Sequence, residues 1–139
     1  MNKSEIFAFL NSHPLCHLAT LDEKDQPRVR EMYMYRADEN GLIFHTGSKK
    51  DLCRQLQAHP KVELCFNDLK DNTQVRVTGT AELVDDLALK KEIVACREFM
   101  KPWVEQHGYE VLAVFRIRNN AATVWRMETN FAPKTHIPL

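Results

Sequence analysis

The chain has 139 residues, of which 44% are apolar, and its 19 Lys and Arg balance its 19 Asp and Glu to a formal net charge of zero. That length suits one domain over residues 1–139, with too little chain for two full cores, and the composition is globular rather than disordered or collagen-like. Zero net charge argues against a general nucleic-acid binder, and no apolar run approaches the ~20 residues that span a bilayer.

The first residues, Met1-Asn2-Lys3-Ser4-Glu5, lack the basic and apolar regions of a signal peptide, so the expected location is the cytoplasm. Cys16, Cys53, Cys65 and Cys96 form no Cys-x-x-Cys pair and are read as reduced thiols. His13 and His17 have a metal-like spacing, but Pro14 between them breaks the helix it would need. No metal is assigned.

In chain order, residues 3–12 read as a short amphipathic helix stopped by Pro14, and Leu15–Leu21 as a strand followed by a polar turn at 22–27. Arg28–Arg36 reads as a second strand, and Asn40-Gly41 as a hairpin turn into Leu42–Thr46. Ser48–Ala58 is a predicted helix, Val62–Asn67 a strand and Gln74–Val84 a long strand. Asp86–Met100 reads as a helix ended or bent by Pro102. Strands at 111–117 and 122–126 flank an Asn119-Asn120 turn, and residues 130–139 read as a tail. Six or seven short strands with two or three helices predict an α+β fold built on a small, closed or nearly closed antiparallel barrel.

The segment Thr46-Gly47-Ser48-Lys49-Lys50-Asp51 is the most informative. Ser48 followed by Asp51 matches a capping pattern, which places a helix start at Ser48. Two lysines in a first turn oppose the positive end of the helix dipole. A phosphate there would reverse that cost by accepting bonds from backbone amides, the Ser48 hydroxyl and Lys49 or Lys50. The alternative is that both lysines point into water.

Arg28 and Arg30 supply a second basic element. On a strand they share a face with Met32 and Met34, opposite Val29, Glu31, Tyr33 and Tyr35. Arginines beside methionines suit a ligand with a charged end and a flat apolar body, and the Asn40-Gly41 hairpin is expected to fold this strand against the one leading to Ser48. Arginines paired with Glu31 or other acids on a solvated face are the other reading.

The order Gln26-Pro27-Arg28-x-Arg30, then Asn40 to Lys50, then His59-Pro60-Lys61-Val62-Glu63-Leu64-Cys65-Phe66, then Gln74-Val75-x-Val77-x-Gly79-x-Ala81 resembles the pyridoxamine 5′-phosphate oxidase-like family of FMN-binding split-barrel proteins. The likeness includes its general-stress-protein and nitroimidazole-reductase-like branches and covers roughly residues 5–126. The resemblance implies a homodimer of split barrels with FMN held between the subunits. It matches Arg30 to a flavin-contacting arginine, His45 and Thr46 to a pair at a strand end, and Ser48, Lys49 and Lys50 to a phosphate-binding cluster. Gln74 matches a glutamine that reaches the flavin from the other subunit. Met32 and Tyr33 fall where backbone groups would meet the isoalloxazine, and Trp125 where the last strand approaches the site. A buried core tryptophan is the other reading of Trp125.

The resemblance also marks departures. The oxidase's arginine-x-histidine element has no counterpart in Arg126–Phe131, and Tyr35 stands where the oxidase presents a lysine. The resulting expectation is an FMN-dependent oxidoreductase with an undetermined small-molecule substrate, in which the cofactor performs the transfer. A non-catalytic flavin-binding stress protein and a heme-binding split barrel are the alternatives. No catalytic acid or base is assigned; His45 is the one weak candidate.

Overall fold

The computed structural model describes all 139 residues. The chain opens with α1 (Lys3–Ser12), started by a reciprocal cap in which the Asn2 side chain accepts from the Glu5 amide and the Glu5 carboxylate from the Asn2 amide. Two of the donors that a helix start leaves unpaired are thereby satisfied. β1 (Leu15–Leu21) and β2 (Pro27–Tyr33) follow as an antiparallel hairpin. Its turn is organised by Asp22, whose carboxylate accepts from the amides of Lys24 and Gln26 and from Arg28.

β3 (Arg36–Asp38) turns through Asn40-Gly41 into β4 (Gly41–Gly47). Gly41 has φ = 119°, and a Cβ there would collide with the Ile117 carbonyl, so only glycine fits this turn. Then come α2 (Asp51–Ala58), β5 (Lys61–Asp68), β6 (Thr73–Val84), α3 (Leu87–Cys96), α4 (Lys101–His107), β7 (Leu112–Arg126) and β8 (Ile137–Pro138).

The eight strands form one sheet in the order β2-β1-β5-β6-β7-β4-β3, with β8 on β7. β2 and β3 lie at opposite ends of that order, yet only Met34 and Tyr35 separate them. One bent segment therefore joins both ends of the sheet. At the bend the Met34 amide donates to Pro14 O (2.8 Å) and the Tyr35 amide to Ile43 O (2.7 Å). Met34 is fully buried there. The result is an α+β split antiparallel barrel with flanking helices, as its strand pattern predicts.

Four local expectations need correction. Arg28–Arg36 is not one strand against Leu42–Thr46: Arg28, Arg30 and Met32 pair with Thr20, Leu18 and Cys16 of β1, and only Arg36–Asp38 pairs with β4. The strands at 111–117 and 122–126 are a single strand. Asn119 alone takes φ = 54°, and the β6–β7 register shifts between Thr78 and Thr80, which makes the Asn pair a bulge rather than a reversal. The helix capped by Asp86 ends at Cys96, short of Met100, and Pro102 opens α4 instead of closing α3, because a proline in the first turn forfeits no helical bond. Finally, residues 130–139 end in β8, which pairs with Ala121 and Ala122, while Ile137 and Leu139 pack on the core.

Two apolar clusters result. The larger fills the barrel around Phe44, Phe66 and Phe115. The smaller lies on the outer face of β4 and β7, where Ile43, Leu112 and Val114 meet Leu89, Ile93, Val94 and Met100. β4 is thus buried on both faces, which accounts for its unbroken Leu-Ile-Phe run. The outer cluster also fixes the segment from Arg97 to Trp103 beside the end of β4.

Candidate functional site

The ends of β4 and β2 and the α3–α4 segment enclose a groove of about 540 Å³, within the size range of small-molecule sites. Met32 and Tyr33 form one side, and Phe99, Met100 and Trp103 the other, with His45, Thr46, Lys50 and Arg97 between them. Phe99 and Trp103 contact edge to face at 5.9 Å, yet remain 62% and 54% exposed. Tyr33 is 58% exposed. Three large aromatic surfaces left open around cations favour a flat ligand with an anionic end.

At the β2–α2 side the groove continues into a second hollow, lined by the cations Arg30, Lys49 and Lys50 together with Glu31, Asp51, Met32 and Thr46. Arg30 donates to Thr20 Oγ1 and Gln55 Oε1, both at 2.6 Å, and to Leu18 O. Its acceptors are all neutral, and it forms no ion pair of its own with a carboxylate. Neither Lys49 nor Lys50 has a carboxylate within ion-pair distance; the neighbouring Asp51 pairs with Arg54 instead. The Lys50 stem lies over Gly47, where a Cβ would be 3.4 Å from its Cγ. Arg30, Lys49 and Lys50 form a cationic end suited to a phosphate.

The helix-start geometry at this end differs from expectation. α2 begins at Asp51 with Lys50 in the cap position, and no side chain caps it. The Ser48 amide donates to Val111 O, and the Lys50 amide to Gly47 O. β4 pairing with β7 thus extends past Gly47 and delays the helix by a turn. The Ser48 amide is held by Val111 and Ser48 lines neither hollow, while Lys49 precedes the helix and Lys50 sits in its cap position, still at the positive end of the dipole.

Arg28 also leaves the cluster. Its guanidinium pairs with Asp22 at 2.9 Å, where the carboxylate, in a residue only 7% exposed, anchors the β1–β2 turn. The amides of Lys24 and Gln26, then Arg28, hold that carboxyl below its usual range.

Gln74 and Trp125 lie elsewhere. They face each other across the β6–β7 pairing and line a separate hollow of about 260 Å³ with Arg76 and Lys134. Gln74 donates to Asn67 Oδ1, and Trp125 Nε1 to Asn130 Oδ1. Within one chain they do not join the cationic groove.

A family model described as pyridoxamine 5′-phosphate oxidase matches residues 3–129. The chain belongs to this family. A curated member, the pyridoxine/pyridoxamine 5′-phosphate oxidase of Rhizobium leguminosarum bv. trifolii, is 35% identical over 69 residues, which are 50% of this chain and 34% of that protein. The match thus spans about a third of the curated relative. A NimC/NimA family protein from Clostridium acetobutylicum aligns over 98% of this chain and 92% of its own, with a TM-score of 0.77 and 22% identity. A pyridoxamine 5′-phosphate oxidase-related, FMN binding protein from Nostoc punctiforme aligns over 96% and 88%, with a TM-score of 0.65 and 14% identity. At these identities the two structures establish the shared split-barrel fold.

In this pyridoxamine 5′-phosphate oxidase-family chain, one wall of the groove escapes sequence reasoning. Arg97, Phe99 and Met100 are absorbed into the helix expected over Asp86–Met100, which in fact ends at Cys96, and Pro102, just before Trp103, reads as its terminator. The available signal is a Phe-Met-x-Pro-Trp run in which proline occupies a first helical turn.

Arg97 is the residue with the most contacts of consequence. Its Nη2 donates to Met34 O at 2.9 Å and its Nη1 to Tyr33 O at 3.3 Å, so it staples the bend between β2 and β3. Nη1 also meets His45 Nε2. Burial, then the charges of Arg97 and Lys50, push His45 down from 6.5 to about 4. His45 is therefore uncharged near neutrality. Tyr35, at the bend, donates to Glu92, and burial with that carboxylate drives its phenol upward.

Proposed function

We propose that this protein binds FMN in the groove and acts as an oxidoreductase on a small molecule, as a homodimer in which the partner subunit completes the site. One observation supports this most: an apolar, aromatic-walled groove ends on Arg30, Lys49 and Lys50, none of them paired with a carboxylate. A phosphate fits that end, and a flat ring system fits the space between Met32–Tyr33 and Phe99–Trp103. Bound flavin would supply the electron or hydride transfer.

The chain's own residues would bind and orient it. Lys49 and Lys50 would take the phosphate, with Arg30 held beside them by Thr20 and Gln55. Met32, Tyr33, His45 and Thr46 would face the ring. Gln74 and Trp125, remote from this groove, would serve the groove of the partner subunit, which is the family resemblance's role for Gln74. The family membership and the printed FMN binding of the Nostoc punctiforme relative support the choice of cofactor.

The test is the absorption spectrum of purified protein, with released cofactor identified by mass, followed by reduction with NADH or NADPH. A flavin spectrum, an FMN mass and reductive bleaching are expected. A colourless protein that takes up no added FMN would overturn the reading. FMN held without reduction by either donor would retain the cofactor and remove the reductase. A heme spectrum would replace it.

A further inference from the structure

His45 has two ring nitrogens, and its surroundings distinguish them. Arginine carries only donors, so His45 Nε2, facing Arg97 Nη1, must be the unprotonated nitrogen. A doubly protonated ring would set N–H against N–H. The ring proton then sits on Nδ1, for which no protein group serves as acceptor. Arg97 is itself fixed by the carbonyls of Tyr33 and Met34 and lies over the Tyr35 ring at 5.6 Å, so it does not swing away from His45.

We propose that Arg97 is a positioning residue that locks His45 as a neutral Nδ1–H donor in the groove, selecting ligand groups that present a hydrogen-bond acceptor there over groups that present a donor. This rests on the reading of the groove as a ligand site. It gives His45 a fixed donor's role and denies it that of a proton shuttle near neutrality.

The charged and titratable groups around the ring agree. Arg97 comes from the loop after α3, Lys50 from the turn before α2, and Glu31 and Tyr33 from β2. The facing residue of β7 is the apolar Val114. Glu92 and Cys96 of α3 engage Tyr35. Burial of the ring comes first in lowering the basicity of His45, and the charges of Arg97 and Lys50 add to it.

The experiment is imidazole nitrogen NMR on isotope-labelled, cofactor-free protein, wild type and Arg97→Met, with His45→Gln used for assignment. Wild-type His45 should carry its proton on Nδ1 and show no titration between about pH 5.5 and 8. In Arg97→Met the tautomer should become mixed and the midpoint rise by about one pH unit or more. A wild-type ring protonated on Nε2, or one titrating near its ordinary value, would overturn the proposal, and needs no variant to fold. An unshifted midpoint in folded Arg97→Met would overturn it equally. FMN titration of the same samples separates the two readings. Expected spectra without FMN uptake would uphold the lock and remove the cofactor assignment. FMN uptake with contrary spectra would do the reverse.

Discussion

At His45 burial and two neighbouring cations, Arg97 and Lys50, convert geometry into a pH dependence. Its unfolded value is about 6.5 and its folded value about 4. Between them the unfolded chain binds a proton that the folded protein refuses, so stability rises with pH across that window and falls on acidification, by at most ~1.4 kcal/mol per pH unit. Chemical denaturation at several pH values from 4 to 6.5 should show that slope in the wild type and a flatter one in His45→Gln. Equal slopes would contradict the assignment. Asp22 and Asp68, both held below the usual carboxylate range, lose their contribution at lower pH still, as protons fill their carboxylates. Residue chemistry was partly legible: Lys49, Lys50, Arg30 and His45 are visible as types in order. Arg28 was not separable from Arg30, because its partner Asp22 lies in a turn whose near-buried carboxylate no periodicity reveals.

Elements were legible where burial is one-sided and regular, as in α1, β5 and β6. They were misread where tertiary structure overrides local pattern. The β2–β3 segment looks like one strand because nothing in Met34-Tyr35 signals that its two halves pair at opposite ends of the sheet. β7 looks broken at Asn119, but a bulge absorbs that residue and Gly79 opposite accommodates it: a Cβ there would collide with the Asn120 side chain and Ile117. The α3–α4 segment is held in place by the outer cluster, and Ile93, fully buried there, ties it to β4 and β7. Ile93→Ala should lower stability by about 2–5 kcal/mol and loosen the Phe99–Trp103 wall. Thermal unfolding followed by tryptophan fluorescence checks both. An unchanged melting temperature would mean that the outer cluster does not hold the segment.

For the whole molecule, barrel closure through one bent segment places the bend, the end of β4 and the α3–α4 wall around a single groove. Its cationic and aromatic ends come from segments far apart in sequence. Gln74 and Trp125 line a separate hollow, so a site that joined them to this groove would require two chains. No helix is long and apolar enough to cross a membrane. The central claim is that the unpaired cations of this groove hold the phosphate of FMN. Equilibrium titration of cofactor-free wild type and Lys50→Ala with FMN, followed by flavin fluorescence, tests it most directly. Lys50 is the cleaner probe, since Arg30 also ties β1 to α2 through Thr20 and Gln55. Loss of one charge-assisted bond, about 1.5–3 kcal/mol, predicts saturable wild-type binding weakened roughly 10- to 150-fold in the variant. Equal affinity in both proteins, or no saturable binding by the wild type, would contradict the account.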